Sequence, residues 1–185
     1  YCETGKDNTC FKRFEWQLGD LPFGYDHKYI YSNIGYSLKA TDMQAARGDS
    51  QIDKIDQFVN SRKENFKTLF EGLSDLDDFI LPEATPKSEP SWFGFPITIR
   101  QKSRIKRTDL INYLESKKIG TRLIFAGNIS KQPGYMKIEH RQIGNLENSN
   151  IVMSNSFWIG LHPNITNEML SYMINAIQEF VAKSK

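Results

Sequence analysis

Cysteine is scarce in this 185-residue sequence, which contains only Cys2 and Cys10, both near the N-terminus. So few thiols exclude a disulfide framework of the kind that stabilises small secreted domains. They are also fewer than the four ligands that an iron–sulfur cluster usually takes, and the residue spacings typical of zinc sites are absent. Taken by themselves, the two cysteines are predicted to be free thiols.

The sequence also lacks long apolar runs and a large net charge. No stretch approaches the roughly 20 apolar residues of a membrane-spanning helix, and the opening YCETGKDNTC has no apolar signal-peptide core. A net charge of +2, from 24 Lys plus Arg and 22 Asp plus Glu, does not indicate binding to nucleic acid or an anionic membrane. We expect a cytoplasmic protein. Because the chain opens on Tyr1 without Met, we also expect it to be part of a longer protein.

The composition, 39% hydrophobic and 25% charged, is that of a globular protein, and the length suits one domain or one lobe. Residues 1–40 are rich in Gly, Pro and aromatics without a clear period, and they predict an irregular aromatic arm. Residues 41–185 predict a single lobe. We expect the aromatic side chains of the arm to pack against a partner surface.

Apolar residues at helical spacing predict one long N-terminal helix over 42–73, with Thr41 or Asp42 as its N-cap. Thr108 and Thr166 are predicted to cap two further helices. Strands are predicted over residues 91–101, 121–126 and 151–161, with loops over 74–90 and 127–150. This order predicts an α/β (α+β) lobe in which helices cover a small, mainly antiparallel sheet.

The segment before the long helix carries polar groups suited to an anion. Ser37 and Lys39 lie where the free N–H groups and the dipole of a helix attract phosphate. Simple capping of the helix is the alternative, and the residues alone favour it.

A second candidate segment runs from a predicted strand into a loop. Arg122 can bind a phosphate or carboxylate, Phe125 can stack on a ring, and amides can bind sugar hydroxyls. The amides are those of Asn128 and Gln132. A surface loop without a ligand is the alternative. The sequence shows no nucleophilic triad, Gly-rich phosphate loop or metal triad, so we assign no catalytic residue to it. The lone His162 is expected to be a packing or surface residue.

One long stretch, GYSLKATDMQAARGDSQIDKIDQFVNSRKENF, resembles the helix entry of the DegT/DnrJ/EryC1/StrS sugar aminotransferases. The matching positions are Gly35, Tyr36, Lys39, Thr41, Asp42, Gln44, Ala45, Ala46, Gly48, Gln51 and Ile52. Residues 2–36 and the stretch TRLIFAGNISKQPGYM…FWIGLHP resemble the family's CDP-4-keto-6-deoxyglucose 3-dehydrases, which serve 3,6-dideoxysugar and lipopolysaccharide O-antigen synthesis. The resemblance covers essentially the whole chain.

This resemblance implies the C-terminal small lobe of a fold type I pyridoxal phosphate enzyme, without the large domain that holds the catalytic base. It implies pyridoxamine or pyridoxal phosphate as cofactor, a CDP-sugar substrate and a homodimer. Ser37 and Lys39 would approach the cofactor of the neighbouring subunit, although the family has Asn where this chain has Ser37. The chain alone is expected to be inactive.

The resemblance also changes the expectation for the two cysteines. The subgroup's cluster motif includes C-x-C-x7-C, and Cys2 and Cys10 match its last two positions. They would then ligate a [2Fe–2S] cluster in the parent protein, which receives electrons from a flavin and iron–sulfur reductase. Two alternatives stay open: a pyridoxal phosphate-dependent nucleotide-sugar aminotransferase of the same family, and a non-catalytic docking module.

Overall fold

Residues 9, 11–26, 29–31, 33–36 and 38–184 are described by a computed structural model of the chain. The chain divides into two units, Tyr1–Gly48 and Asp49–Lys185. The helices are α1 (Asp42–Ile52), α2 (Ile55–Leu73), α3 (Arg107–Ser116), α4 (Glu147–Asn155) and α5 (Asn167–Lys183). The strands are β1 (Phe79–Ile80), β2 (Gly94–Ile99), β3 (Thr121–Leu123) and β4 (Ser156–Gly160). None of the helices in the described part of the chain is long and apolar enough to cross a membrane.

The described residues that precede α1 form turns, with neither α-helix nor strand. One ion pair closes this segment on itself: Arg13 donates from Nη2 and Nε to Oδ2 of Asp26, at 2.6 and 3.0 Å. The backbone N–H of Gly24 also reaches the carbonyl of Trp16 at 3.3 Å. Several aromatic side chains are exposed to solvent, such as Tyr31 at 88%.

Helix α1 begins with a reciprocal capping box, which confirms Thr41 as the N-cap. The Gln44 N–H bonds Thr41 Oγ1 at 3.3 Å, and the Thr41 N–H bonds Gln44 Oε1 at 2.9 Å. The prediction of one long helix over 42–73 is wrong, because the helix is interrupted between Ile52 and Ile55. Both flanking isoleucines are at least half exposed, so no packing holds the helix straight through this point.

The four strands form one antiparallel sheet in the order β1-β2-β4-β3. Alternation along the two central strands separates its faces. Phe95 and Ile97 of β2 face Ile159 and Phe157 of β4 in register, and all four are fully buried. The short strand β1 lies within residues 74–90, which the sequence predicts to be a loop.

The hydrophobic core lies between the inner face of this sheet and helices α2, α3 and α5. Leu69 and Leu73 of α2 and Leu110 and Leu114 of α3 are fully buried. The stripe of α5 contributes residues at helical spacing, namely Leu170, Met173, Ile177 and Val181. Thr166 caps α5 as predicted, because its Oγ1 accepts the Met169 N–H at 3.3 Å.

Two further local predictions are wrong. Thr108 does not cap α3, which begins at Arg107 after Lys106, and no side chain caps that end. Residues 151–155, predicted as strand, complete helix α4 instead. Tertiary contacts override the local preference there: Arg107 donates to the Met153 carbonyl at 2.9 Å, and Asn155 donates to the Ile99 carbonyl at 3.0 Å.

Candidate functional site

The polypeptide leaves β3 through tight turns that are stabilised by α4. The Phe125 N–H bonds the Leu123 carbonyl at 2.7 Å, and the Phe125 backbone is left-handed, with a φ of 44°. Gly127 also has a positive φ, 61°, and a Cβ there would lie 2.7 Å from Cβ of Met153. Glycine is required at this position for conformation and for space. The exit segment, residues 123–132, is thus held closely against α4.

Asn128 anchors the exit segment from inside the lobe. Its side chain is 5% exposed, and Oδ1 accepts the Ser130 N–H at 3.2 Å and the Ser130 hydroxyl at 2.7 Å. Its Nδ2 donates to Oδ1 of Asn150 in α4 at 2.8 Å. The amide therefore caps the short 3-10 helix Ile129–Lys131 and joins it to α4. Gln132 acts similarly, donating to the Ala126 carbonyl at 3.0 Å.

Arg122 and Phe125 are the exposed members of the predicted substrate set. Arg122 lies on β3 opposite Trp158 of β4, and its Nη1 donates to the Thr121 carbonyl at 2.7 Å. The Thr121 hydroxyl and N–H both bond Glu115, which holds the pKa of Glu115 below its usual range, with the charge of Arg122 adding to the effect. Phe125 is 78% exposed beyond the end of the strand. An accessible cation and an accessible aromatic ring thus lie close together in the sequence, on β3 and just after it.

An aromatic pair that was not predicted from the sequence lies on the outer face of the sheet. Trp158 donates from Nε1 to the Leu123 carbonyl at 3.0 Å, and the Phe93 ring meets it edge-on at 5.1 Å between centroids. The alternation of side chains along β4 could have predicted this position, because Trp158 lies between two fully buried core residues, Phe157 and Ile159. Arg122, as the cross-strand neighbour of Trp158, shares this outer face.

Lys39 lies in the N-terminal unit and is exposed, two residues before the cap Thr41. Ser37, Cys2 and Cys10 lie outside the described residues. Within the described ranges, no three His, Cys, Asp or Glu side chains converge as metal ligands would. His162 has a local role, as expected: its Nδ1 accepts the Asn164 N–H at 3.2 Å, and its carbonyl accepts from Asn65 at 3.1 Å.

Comparison with known proteins assigns the chain to a family. The model of the DegT/DnrJ/EryC1/StrS aminotransferase family matches residues 18–178. The chain belongs to this family. Within the DegT/DnrJ/EryC1/StrS family, it is 51% identical over 181 residues to the lipopolysaccharide biosynthesis protein RfbH of Salmonella typhimurium, covering 97% of this chain and 41% of RfbH. It is 52% identical over 184 residues to the dTDP-4-dehydro-2,6-dideoxy-D-glucose 3-dehydratase of Saccharopolyspora spinosa, covering 100% of this chain and 40% of that enzyme.

The fold agrees with this assignment. A solved structure of the E. coli GDP-4-keto-6-deoxy-D-mannose-3-dehydratase with bound hydrated PLP superposes with a TM-score of 0.72 at 24% identity, covering 81% of this chain and 38% of that one. The lobe therefore has the fold of part of a pyridoxal phosphate-dependent transferase, as the sequence predicts. The chain spans about 40% of the length of the two curated relatives.

Proposed function

We propose that this chain is the C-terminal part of a pyridoxamine phosphate-dependent 3-dehydratase that removes the C3 hydroxyl of CDP-4-keto-6-deoxyglucose. The observation that supports it is the identity of 51% and 52%, along nearly the whole chain, to a lipopolysaccharide biosynthesis protein and to a sugar 3-dehydratase. The product would be a 3,6-dideoxysugar precursor for lipopolysaccharide O-antigen. The large domain and its base belong to the rest of the parent protein.

The residues before α1 suit a cofactor phosphate that another subunit presents. Lys39 is an exposed cation beside a helix N-terminus, which favours a bound anion. Its neighbours Leu38 and Tyr36 are 91% and 93% exposed, an apolar surface that a second subunit of a homodimer would cover. Ser37 would add one hydrogen bond. When bound, the cofactor supplies an amine for the C4 ketone of the sugar and a ring that acts as electron sink.

On the substrate side, each side chain has a distinct task in the proposal. Arg122 binds the diphosphate, since a guanidinium matches phosphate oxygens in a fork geometry. Phe125 contacts a ring of the substrate from its exposed position. Asn128 and Gln132 hold the exit segment that carries Phe125, through the bonds to Ser130 and Ala126. Glu115 keeps Arg122 in place indirectly by fixing Thr121.

The two cysteines have a proposed role in electron supply. Cys2 and Cys10 would provide two of the ligands of a [2Fe–2S] cluster, with further cysteines from the parent protein. A flavin and iron–sulfur reductase would deliver the electrons that complete deoxygenation at C3. Substituting either cysteine with Ala in the full-length protein is expected to lower its iron content without changing the bound cofactor.

The test is the ultraviolet–visible spectrum of the full-length protein, purified without oxygen. Iron–sulfur bands together with pyridoxamine phosphate absorption are expected for the dehydratase. The absorption of a lysine-bound pyridoxal phosphate without iron would instead favour the alternative, an aminotransferase of the same family. The absence of both chromophores would favour a non-catalytic docking module, an alternative to which the exposed arm aromatics Tyr31 and Tyr36 are suited.

The substrate is tested separately by supplying the CDP-, dTDP- and GDP-linked 4-keto-6-deoxy sugars to the same preparation. We expect turnover with the CDP sugar. Preference for another nucleotide would reject CDP while leaving the 3-dehydratase reaction in place. The 185-residue chain alone is expected to show no turnover, and activity of this chain by itself would contradict the assignment of the base to the missing part.

A further inference from the structure

The half-buried indole of Trp158 lies on the outer face of the sheet and is fixed at two points. Its Nε1 donates to the Leu123 carbonyl of β3 at 3.0 Å. Its six-membered ring covers Gly94 of β2 so closely that a Cβ there would lie 2.4 Å from the indole Cε3. One face of the ring therefore rests on backbone, and any side chain at position 94 would lift it.

The surroundings of this indole are those of a stacking site with an adjacent cation. Arg122 and Pro96 are its direct cross-strand neighbours, so their side chains share its face of the sheet. Phe93 meets the indole edge-on and is itself 59% exposed. The fixed hydrogen bond and the edge contact leave the ring little freedom to rotate. A rigid aromatic platform loses little entropy when a second ring stacks on it.

We propose that Trp158 is the stacking platform for the nucleobase of the nucleotide sugar, with Arg122 beside it at the diphosphate. This inference rests on the proposed function. It adds a binding residue on β4, outside the exit segment. A base offers a π-face to an indole whatever its hydrogen-bonding edge. The guanidinium next to the platform matches the only fixed negative charge of the ligand.

The experiment uses the full-length protein and titrates it with CDP while following tryptophan fluorescence. Trp158→Leu is expected to raise the dissociation constant of CDP about 5- to 150-fold, since a base–aromatic stack is worth roughly 1–3 kcal/mol. It should also remove the quenching that CDP causes in the wild-type protein. In turnover of the CDP sugar, KM should rise by the same factor with kcat nearly unchanged, because base binding is equal in ground and transition states.

Two further variants separate stacking from folding. Trp158→Phe keeps a ring and should restore most of the affinity. Tyr172→Leu removes an exposed aromatic of α5 and should leave CDP binding unchanged. Unaltered CDP affinity and quenching in Trp158→Leu, or an equal loss in Trp158→Phe and Trp158→Leu, would overturn the platform. If the wild-type protein accepts only a dTDP or GDP sugar, the choice of CDP fails, and the same titration with the accepted nucleotide decides the platform independently.

Discussion

Replacing Phe157 with Ala tests which face of the sheet carries the core. Phe157 is fully buried and lies between Ile97 and Leu123 on the neighbouring strands. Removing a fully buried phenyl ring takes away its burial and leaves a cavity that the close-packed core closes only in part. A loss of about 3–5 kcal/mol in the free energy of unfolding is expected.

The matched control is the same substitution at Phe93, one strand away and 59% exposed. Complete burial of a Phe side chain contributes roughly 1.5–3 kcal/mol, and less than half of this ring is buried, with one edge contact to Trp158. We expect Phe93→Ala to cost about 1–2 kcal/mol on that basis. Urea denaturation of the 185-residue chain, followed by circular dichroism, measures both losses. Equal losses, or a larger one at Phe93, would refute the assignment of inner and outer faces.

Three smaller perturbations test local structure. Thr166→Ala removes the N-cap of α5 and should cost about 1 kcal/mol, measured by urea denaturation. Asn128→Ala leaves the half-buried partners of its amide, Ser130 and Asn150, unpaired and should cost about 1–3 kcal/mol in the same assay. Glu115→Gln should make the free energy of unfolding depend less on pH in the acid range. Its folded pKa is lowered by Thr121, so the stabilisation is present above the unfolded pKa and is lost as pH falls through the folded one.

Each of these has its own control. Asn145→Ala removes an exposed amide before α4 whose bonds to Glu147 are solvent-exposed, among them the Glu147 N–H that it accepts at 3.1 Å, and should cost less than Asn128→Ala. The reverse order would contradict the anchoring role of Asn128. Thr108→Ala should leave stability nearly unchanged because Thr108 caps no helix, in contrast to Thr166. For Glu115→Gln, the wild-type and variant curves should converge in acid, and a constant separation at all pH values would show that charge is not involved.

Local chemistry was enough where a motif closes within a few residues. A cap at Thr166 and one at Thr41 or Asp42 were predicted because a cap needs only a side-chain oxygen and an N–H two or three residues on. The helix after the first cap was predicted without its break. Strands β2 and β4 were predicted, although β4 was extended backwards by five residues. The family and the fold of the lobe were predicted from the resemblance of the stretch around Lys39 and are confirmed by the family match.

Elements whose hydrogen bonds and apolar stripes are local could be predicted from the sequence, and so could the family. Only the folded structure fixes the helical state of residues 151–155 and the use of the Asn128 amide inside the lobe. It also brought Trp158 from β4, Gly94 from β2 and Arg122 from β3 onto one face. These features depend on contacts between residues far apart in the chain, and periodicity within one segment carries no information about which strand will lie beside it.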